Sequence, residues 1–172
     1  MELDTLCRAI KVMICDVDGV LTDGGLILDN RGIEIKRFNV RDGQGIRLWQ
    51  KAGYEFAIVT ARSSRIVQNR AAELGIEIVR QGAKDKLAVV KEILDQLNLE
   101  QSQACYIGDD LPDLAAVRYV GLGATVADGA SDLRNNADYV AQLGGGKGAV
   151  REIIERILKA QRRWDDLIQA FM

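Results

Sequence analysis

The sequence predicts an α/β fold, a Rossmann-like, doubly wound parallel sheet with helices on both faces. Three observations point there. Short apolar runs at 12–15, 56–59 and 104–107 alternate with segments of helical periodicity. The runs are continuous rather than alternating in polarity, as in strands buried on both faces. Polar residues suited to chemistry stand directly after them: Asp16 and Asp18, Thr60, and Asp109 and Asp110. In open α/β sheets, ligands bind at the carboxyl ends of the strands.

At 172 residues the chain fits a single domain, 1–172, and its 48% hydrophobic content can fill a core. The net charge of -2, from 23 basic and 25 acidic side chains, gives no reason to expect nucleic acid or an anionic membrane as partner. No apolar run reaches membrane-spanning length, and MELDTLCRAIK lacks the long apolar core of a signal peptide. The expected location is the cytoplasm. The three cysteines, Cys7, Cys15 and Cys105, have no metal-ligand spacing, and Cys15 and Cys105 read as small buried hydrophobes. Histidine is absent, which excludes Ser-His-Asp catalysis and His-ligated metals. Any metal is then held by oxygen, which points to Mg²⁺ or a similar hard cation.

In chain order, residues 2–9 suit a short helix leading into the strand at 12–15. Asp16-Val17-Asp18-Gly19 follows. If extended geometry persists to Asp18, both carboxylates project together, and Gly19 lets the chain turn. Two such carboxylates repel unless a proton or cation lies between them. A single Asp there reads equally as a helix cap. Residues 26–28 and 33–38 flank Asp29-Asn30-Arg31-Gly32, giving a β-hairpin flap at 25–39 that overhangs the pair. A helix over 41–53 ends at glycine. The strand at 56–59 runs into Thr60-Ala61-Arg62, and Ser63 or Ser64 caps a helix to Leu74. A strand at 76–79, a helix at 84–97 and a strand at 104–107 lead to Gly108-Asp109-Asp110-Leu111-Pro112-Asp113. Then come a helix to Tyr119, a strand at 121–126, a short helix near Ser131 and a strand at 139–140. Gly144-Gly145-Gly146-Lys147-Gly148 opens a final helix at 149–159, followed by a tail at 160–172. Trp49 and Trp164 read as packing residues.

The inventory suits phosphoryl transfer, where catalysis is mostly positioning and charge stabilisation. Asp109 and Asp110 can join Asp16 around a divalent cation. Thr60 can hydrogen-bond a phosphoryl oxygen and Lys86 can neutralise its charge. One carboxylate can attack phosphorus and another can protonate the leaving oxygen, then activate water. Asp16 suits the nucleophile and Asp18 the acid/base. Taken singly, Thr60 reads as a cap, Lys86 as a solvated lysine, Asp113 as a cap of its own helix, and Arg62, Arg65 and Arg70 as surface residues. Lys147 lies among glycines whose open backbone can approach an anion.

Asp16-Val17-Asp18-Gly19-Val20-Leu21-Thr22, Thr60, Lys86 and Gly108-Asp109-Asp110-Leu111-Pro112-Asp113 resemble, in order and spacing, the four motifs of the haloacid dehalogenase superfamily in its phosphatase form. The resemblance implies Mg²⁺-dependent phosphate ester hydrolysis. Asp16 is then the nucleophile and Asp18 the acid/base. Thr60 and Lys86 hold phosphate. The metal takes Asp16, the backbone carbonyl of Asp18, and Asp109, with Asp110 in support. Phe38-Asn39-Val40-Arg41-Asp42-Gly43 and Gly145-Gly146-Lys147-Gly148-Ala149 extend the likeness to a capless subfamily. Its members hydrolyse an eight-carbon ulosonate 8-phosphate in lipopolysaccharide sugar synthesis. That subfamily forms homotetramers in which a neighbour helps close the site. The hairpin would then oligomerise the chain, and the segment from Gln161 would reach an adjacent site. The implied substrate-binding set is Gly19, Thr60, Arg62, Arg70 and Lys147. Relatives acting on nine-carbon ulosonate 9-phosphates share the motifs but tend to be acidic where this chain has Arg62. A guanidinium there suits an ulosonate carboxylate. Ala61 replaces the more usual glycine after Thr60. A different class, a phospho-acceptor signalling module, also uses acidic pairs with Thr and Lys, but Asp18 next to the nucleophile favours hydrolysis.

Overall fold

A computed structural model describes residues 2–172. The chain runs α1 (Leu3–Ala9), β1 (Val12–Cys15), β2 (Ile27–Leu28), β3 (Glu34–Ile35), α2 (Val40–Lys51), β4 (Glu55–Val59), α3 (Arg65–Glu73), β5 (Ile78–Arg80) and α4 (Lys86–Leu97). It continues through β6 (Ala104–Gly108), α5 (Leu114–Tyr119), β7 (Leu122–Thr125), α6 (Ser131–Arg134), β8 (Tyr139–Val140), α7 (Ala149–Ala160) and α8 (Trp164–Gln169). Six strands form one sheet in the order β5-β4-β1-β6-β7-β8, every pairing parallel. The chain winds outward from β1 through β4 to β5, then returns to its other side at β6. The switch point therefore falls at the carboxyl end of β1. Cys15 pairs with Ile58 of β4 and Ile107 of β6, so the three strands end nearly level.

Alternation along β1 feeds two cores. Met13 and Cys15 pack with α2, α3, α7 and α8 on one face. Val12 and Ile14 pack with α4, α5 and α6 on the other. No described helix is long and apolar enough to cross a membrane.

The expected elements are present with shifted edges. The strand expected at 76–79 is Ile78–Arg80, because Gly75, at φ +68°, and the Ile76 N–H close the end of α3. The helix expected from 84 starts at Lys86, capped by Asp85, whose carboxylate accepts from the Ala88 N–H at 3.0 Å. The hairpin pairs only Ile27 with Ile35 and Leu28 with Glu34. Its turn is set by the Asp29 carboxylate, which accepts from the Arg31 and Ile33 N–H groups. The tail expected at 160–172 is folded onto its own chain for much of its length. Trp164 and Leu167 of α8 are buried, and the Arg151 guanidinium lies 4.9 Å from the Trp164 ring. At its end, Phe171 and Met172 stand free in solvent.

Candidate active site

Side chains after β1 and from the loop after β6 meet the start of α4 at one edge of the sheet, where β4 also ends. Asp16 follows β1 and is 6% exposed. Lys86, the first residue of α4, is 4% exposed. Its Nζ donates to Asp16 Oδ2 at 2.5 Å and to Asp113 Oδ1 at 2.6 Å. Asp113 is fully buried and also accepts from the Tyr106 hydroxyl at 2.6 Å and from the Asp109 and Asp110 N–H groups. Asp113 therefore does more than cap a turn: it anchors the lysine and the loop after β6. It closes the short 3-10 turn Leu111–Asp113, which folds its carboxylate back under the Asp109 and Asp110 N–H groups.

Carboxylate oxygens of Asp16, Asp109 and Asp113 lie within 4.8 Å of one another. Three carboxylates against one ammonium leave a local surplus of negative charge. Burial, then Asp113, push the Asp16 carboxyl up to about 6, against the opposing pull of Lys86. Burial, then Asp16 and Asp113, push Asp109 up to about 7. For Lys86, burial favours the neutral amine, but Asp16 and Asp113 outweigh it and hold the pKa above the usual lysine value. A hard divalent cation bound through oxygen relieves this repulsion, so the residues present fit Mg²⁺. Asp110 stands outside the cluster, its carboxylate accepting from the Leu111 N–H.

The two carboxylates of the first motif do not stand side by side. β1 ends at Cys15 and the chain turns through 17–19, so the period-two alternation stops before Asp18. Asp16 faces Lys86, while Asp18 faces the flap. Lys36 Nζ donates to Asp18 Oδ1 at 2.5 Å and to Glu34 Oε1 at 3.0 Å. Arg62 donates to Glu34 Oε1 at 2.8 Å, and its Nε lies 3.7 Å from Asp18 Oδ2. Glu34 and Lys36 were missed in the sequence, although alternation in Ile33-Glu34-Ile35-Lys36 sets them on one face.

Thr60 is 2% exposed directly after β4. It caps no helix, because α3 begins only at Arg65 with Ser64 before it. Gly19, at φ +86°, leaves room that no other residue would: a Cβ there would lie 2.0 Å from Asp109 Oδ2. The loop 144–148 presses on the same turn. A Cβ on Gly145 would lie 1.9 Å from the Gly19 carbonyl oxygen, and the Gly146 N–H donates to the Val20 carbonyl. Lys147 is exposed on this loop. Asn39 donates to the Gly146 carbonyl, and Asp42, 1% exposed, accepts from the Arg151 N–H at the start of α7. Arg70 lies elsewhere on α3, pairing with Glu73 and stacking over Phe38, with no hydrogen bond to the acidic cluster.

A carboxylate at a strand end, facing a lysine beside an oxygen-only cation site, with a buried threonine at the end of the neighbouring strand, defines a phosphoryl-transfer hydrolase of the doubly wound class. Residues 40–121 match the family model described as haloacid dehalogenase-like hydrolase. The 3-deoxy-D-manno-octulosonate 8-phosphate phosphatase of Escherichia coli K12 is 42% identical over 168 residues, 96% of this chain and 89% of that protein. The Yersinia pestis enzyme of the same name is 45% identical over 160 residues, 92% of this chain and 86% of its own. The structure of the Moraxella catarrhalis phosphatase of that name, with magnesium ion, phosphate ion and KDO, superposes with a TM-score of 0.96 at 44% identity. The alignment covers 98% of this chain and 97% of that one. The chain belongs to the haloacid dehalogenase-like hydrolases, in their capless phosphatase form.

Proposed function

We propose that this chain hydrolyses 3-deoxy-D-manno-octulosonate 8-phosphate to the free ulosonate and phosphate, using Mg²⁺ and an aspartyl phosphate. The observation that carries the chemistry is the placing of Asp16 and Asp18 on opposite sides of one turn, each with its own cationic partner. Asp16, the Asp18 carbonyl and Asp109, with Asp110 in support, would hold Mg²⁺, which would neutralise phosphoryl charge. The chain's own groups do the rest. Asp16 attacks phosphorus and loses its negative charge as the acyl phosphate forms. Asp113 still holds Lys86 at that moment, so the ammonium stays charged and in place for the phosphoryl oxygens. The Thr60 hydroxyl offers a further hydrogen bond. Asp18 protonates the leaving oxygen, then takes a proton from the water that cleaves the intermediate.

The eight-carbon substrate is supported by the relatives' activity and by Arg62, whose guanidinium stands beside the acid/base. The proposed substrate-binding set is Gly19, Thr60, Arg62, Arg70 and Lys147. Arg70 lies against Phe38, Gly43 and Glu73, away from the acidic cluster, so its place in the set rests on assembly. A homotetramer is supported by the flap, where Leu26, Ile27, Leu28, Ile33 and Ile35 are each more than half exposed. Such a patch fits a second copy of itself. A cytoplasmic location accords with a role in lipopolysaccharide sugar synthesis.

The test is phosphate release from the eight-carbon substrate beside a nine-carbon ulosonate 9-phosphate, with Mg²⁺ and with chelator. Fast, Mg²⁺-dependent release favouring the eight-carbon ester is expected. Preference for the nine-carbon ester would keep the mechanism and overturn the substrate. No release from either would return the signalling module to the front.

A further inference from the structure

We propose that Lys36 of the flap is a specificity residue that binds the carboxylate of the leaving group, with Glu34 holding Lys36 and Arg62 as a two-pronged cationic clamp. This rests on the ulosonate reading above. Asp18 must touch the leaving oxygen, so groups in contact with its carboxylate border the leaving group rather than the phosphoryl group. Lys36 is such a group, and its side chain is only 2% exposed. A lysine so buried needs anionic partners, and in the free chain it has two, Asp18 and Glu34.

The four charges of the network sum to zero: Asp18 and Glu34 against Lys36 and Arg62. When Asp18 turns to the leaving oxygen, it no longer serves both cations. Glu34, Lys36 and Arg62 are left with one surplus positive charge. A leaving group with one carboxylate restores the balance, and a neutral leaving group does not. Glu34 Oε1 is shared by both cations, which fixes their spacing and keeps them from collapsing onto Asp18. β3 places Glu34 on the same strand face as Lys36, while Ile33 and Ile35 point the other way into solvent. The flap thus carries an apolar face for another copy and a charged face for the substrate.

The experiment compares kcat/KM for the eight-carbon ulosonate 8-phosphate with kcat/KM for glucose 6-phosphate, whose leaving group is likewise a primary alcohol but has no carboxylate, on the assembled Mg²⁺-loaded protein. Taking the ratio cancels any effect through Asp18 that both substrates share. In Lys36→Met the ratio falls about tenfold or more, mainly through KM for the ulosonate, as expected for loss of one charge-assisted contact. Lys36→Arg, which keeps the charge, retains most of the ratio. A Lys36→Met enzyme that slows on both esters with an unchanged ratio would overturn the proposal and leave Lys36 a partner of Asp18 alone. A wild-type enzyme with no preference for the ulosonate would instead overturn the substrate reading, and the proposal with it.

Discussion

Asp16 and Asp18 are two residues apart and each is met by a buried lysine, but the two ion pairs differ in what else surrounds the carboxylate. Asp16, Lys86 and Asp113 lie in the body of the protein, each less than a tenth exposed and each tied to rigid elements. Asp18 meets Lys36 on a hairpin with two paired positions per strand, and its other cation, Arg62, is 47% exposed. The first cluster fixes charge where the phosphoryl group reacts. The second can exchange partners, which suits the side where leaving groups enter and depart. Low dielectric strengthens every term in the first, whereas in the second solvent reaches Arg62 and the Asp18 carboxylate although Lys36 itself is buried.

The largest effect that tests this contrast is at Asp16. Asp16→Asn is expected to lower turnover by at least about a thousandfold while circular dichroism stays native. Near-native turnover would remove it as nucleophile. Next comes Lys86→Met, which leaves buried carboxylates without their cation. Urea denaturation is expected to show a loss of about 3 kcal/mol, in the range for breaking a buried pair. A loss as small as that of a surface lysine would erase the distinction between the two regions.

A third effect follows from the cation site. The folded-state pKa values of Asp16 and Asp109 are raised, to about 6 and about 7, from an ordinary value of 3.8. Their contribution to stability is complete below the ordinary value and is lost as pH rises through the raised ones. Without Mg²⁺ the fold therefore weakens between about pH 4 and pH 7. Mg²⁺ favours the ionised carboxylates, so the rise in Tm on adding it is larger at pH 8 than at pH 5. Equal rises at both would break the assignment of the cluster to a cation. The smallest effect is at the flap: Glu34→Gln is expected to cost under about 1 kcal/mol in the same denaturation, because Arg62 is 47% exposed and the buried Lys36 keeps Asp18 as a partner. A larger loss would make the flap part of the folded body.

Much of this was legible in the chain. The strand ends bearing Asp16, Thr60 and Asp109 were marked by apolar runs that stop abruptly, because burial on both faces permits no polar residue until the sheet edge. The roles of Lys36 and Asp113 were not, because each depends on contacts with distant segments: Lys36 with Asp18 across eighteen positions, Asp113 with Lys86 across twenty-seven. The separation of Asp16 from Asp18 was hidden for a local reason. Periodicity says which way a side chain points within a strand, but the strand's last residue is settled by where the backbone finds its turn. α8 was missed since it is short and held by Trp164 packing rather than by its own pattern.

The contact of Gly19 with Asp109 and Gly145 means that two positions without side chains limit the site as strictly as any carboxylate. A single methyl group at either would leave every acid, base and cation in the sequence and still drive the turn, the loop and Asp109 apart. Loss of activity in this protein can therefore arise by crowding alone, and a survey of its natural variants for intact acids, bases and cations would overlook it.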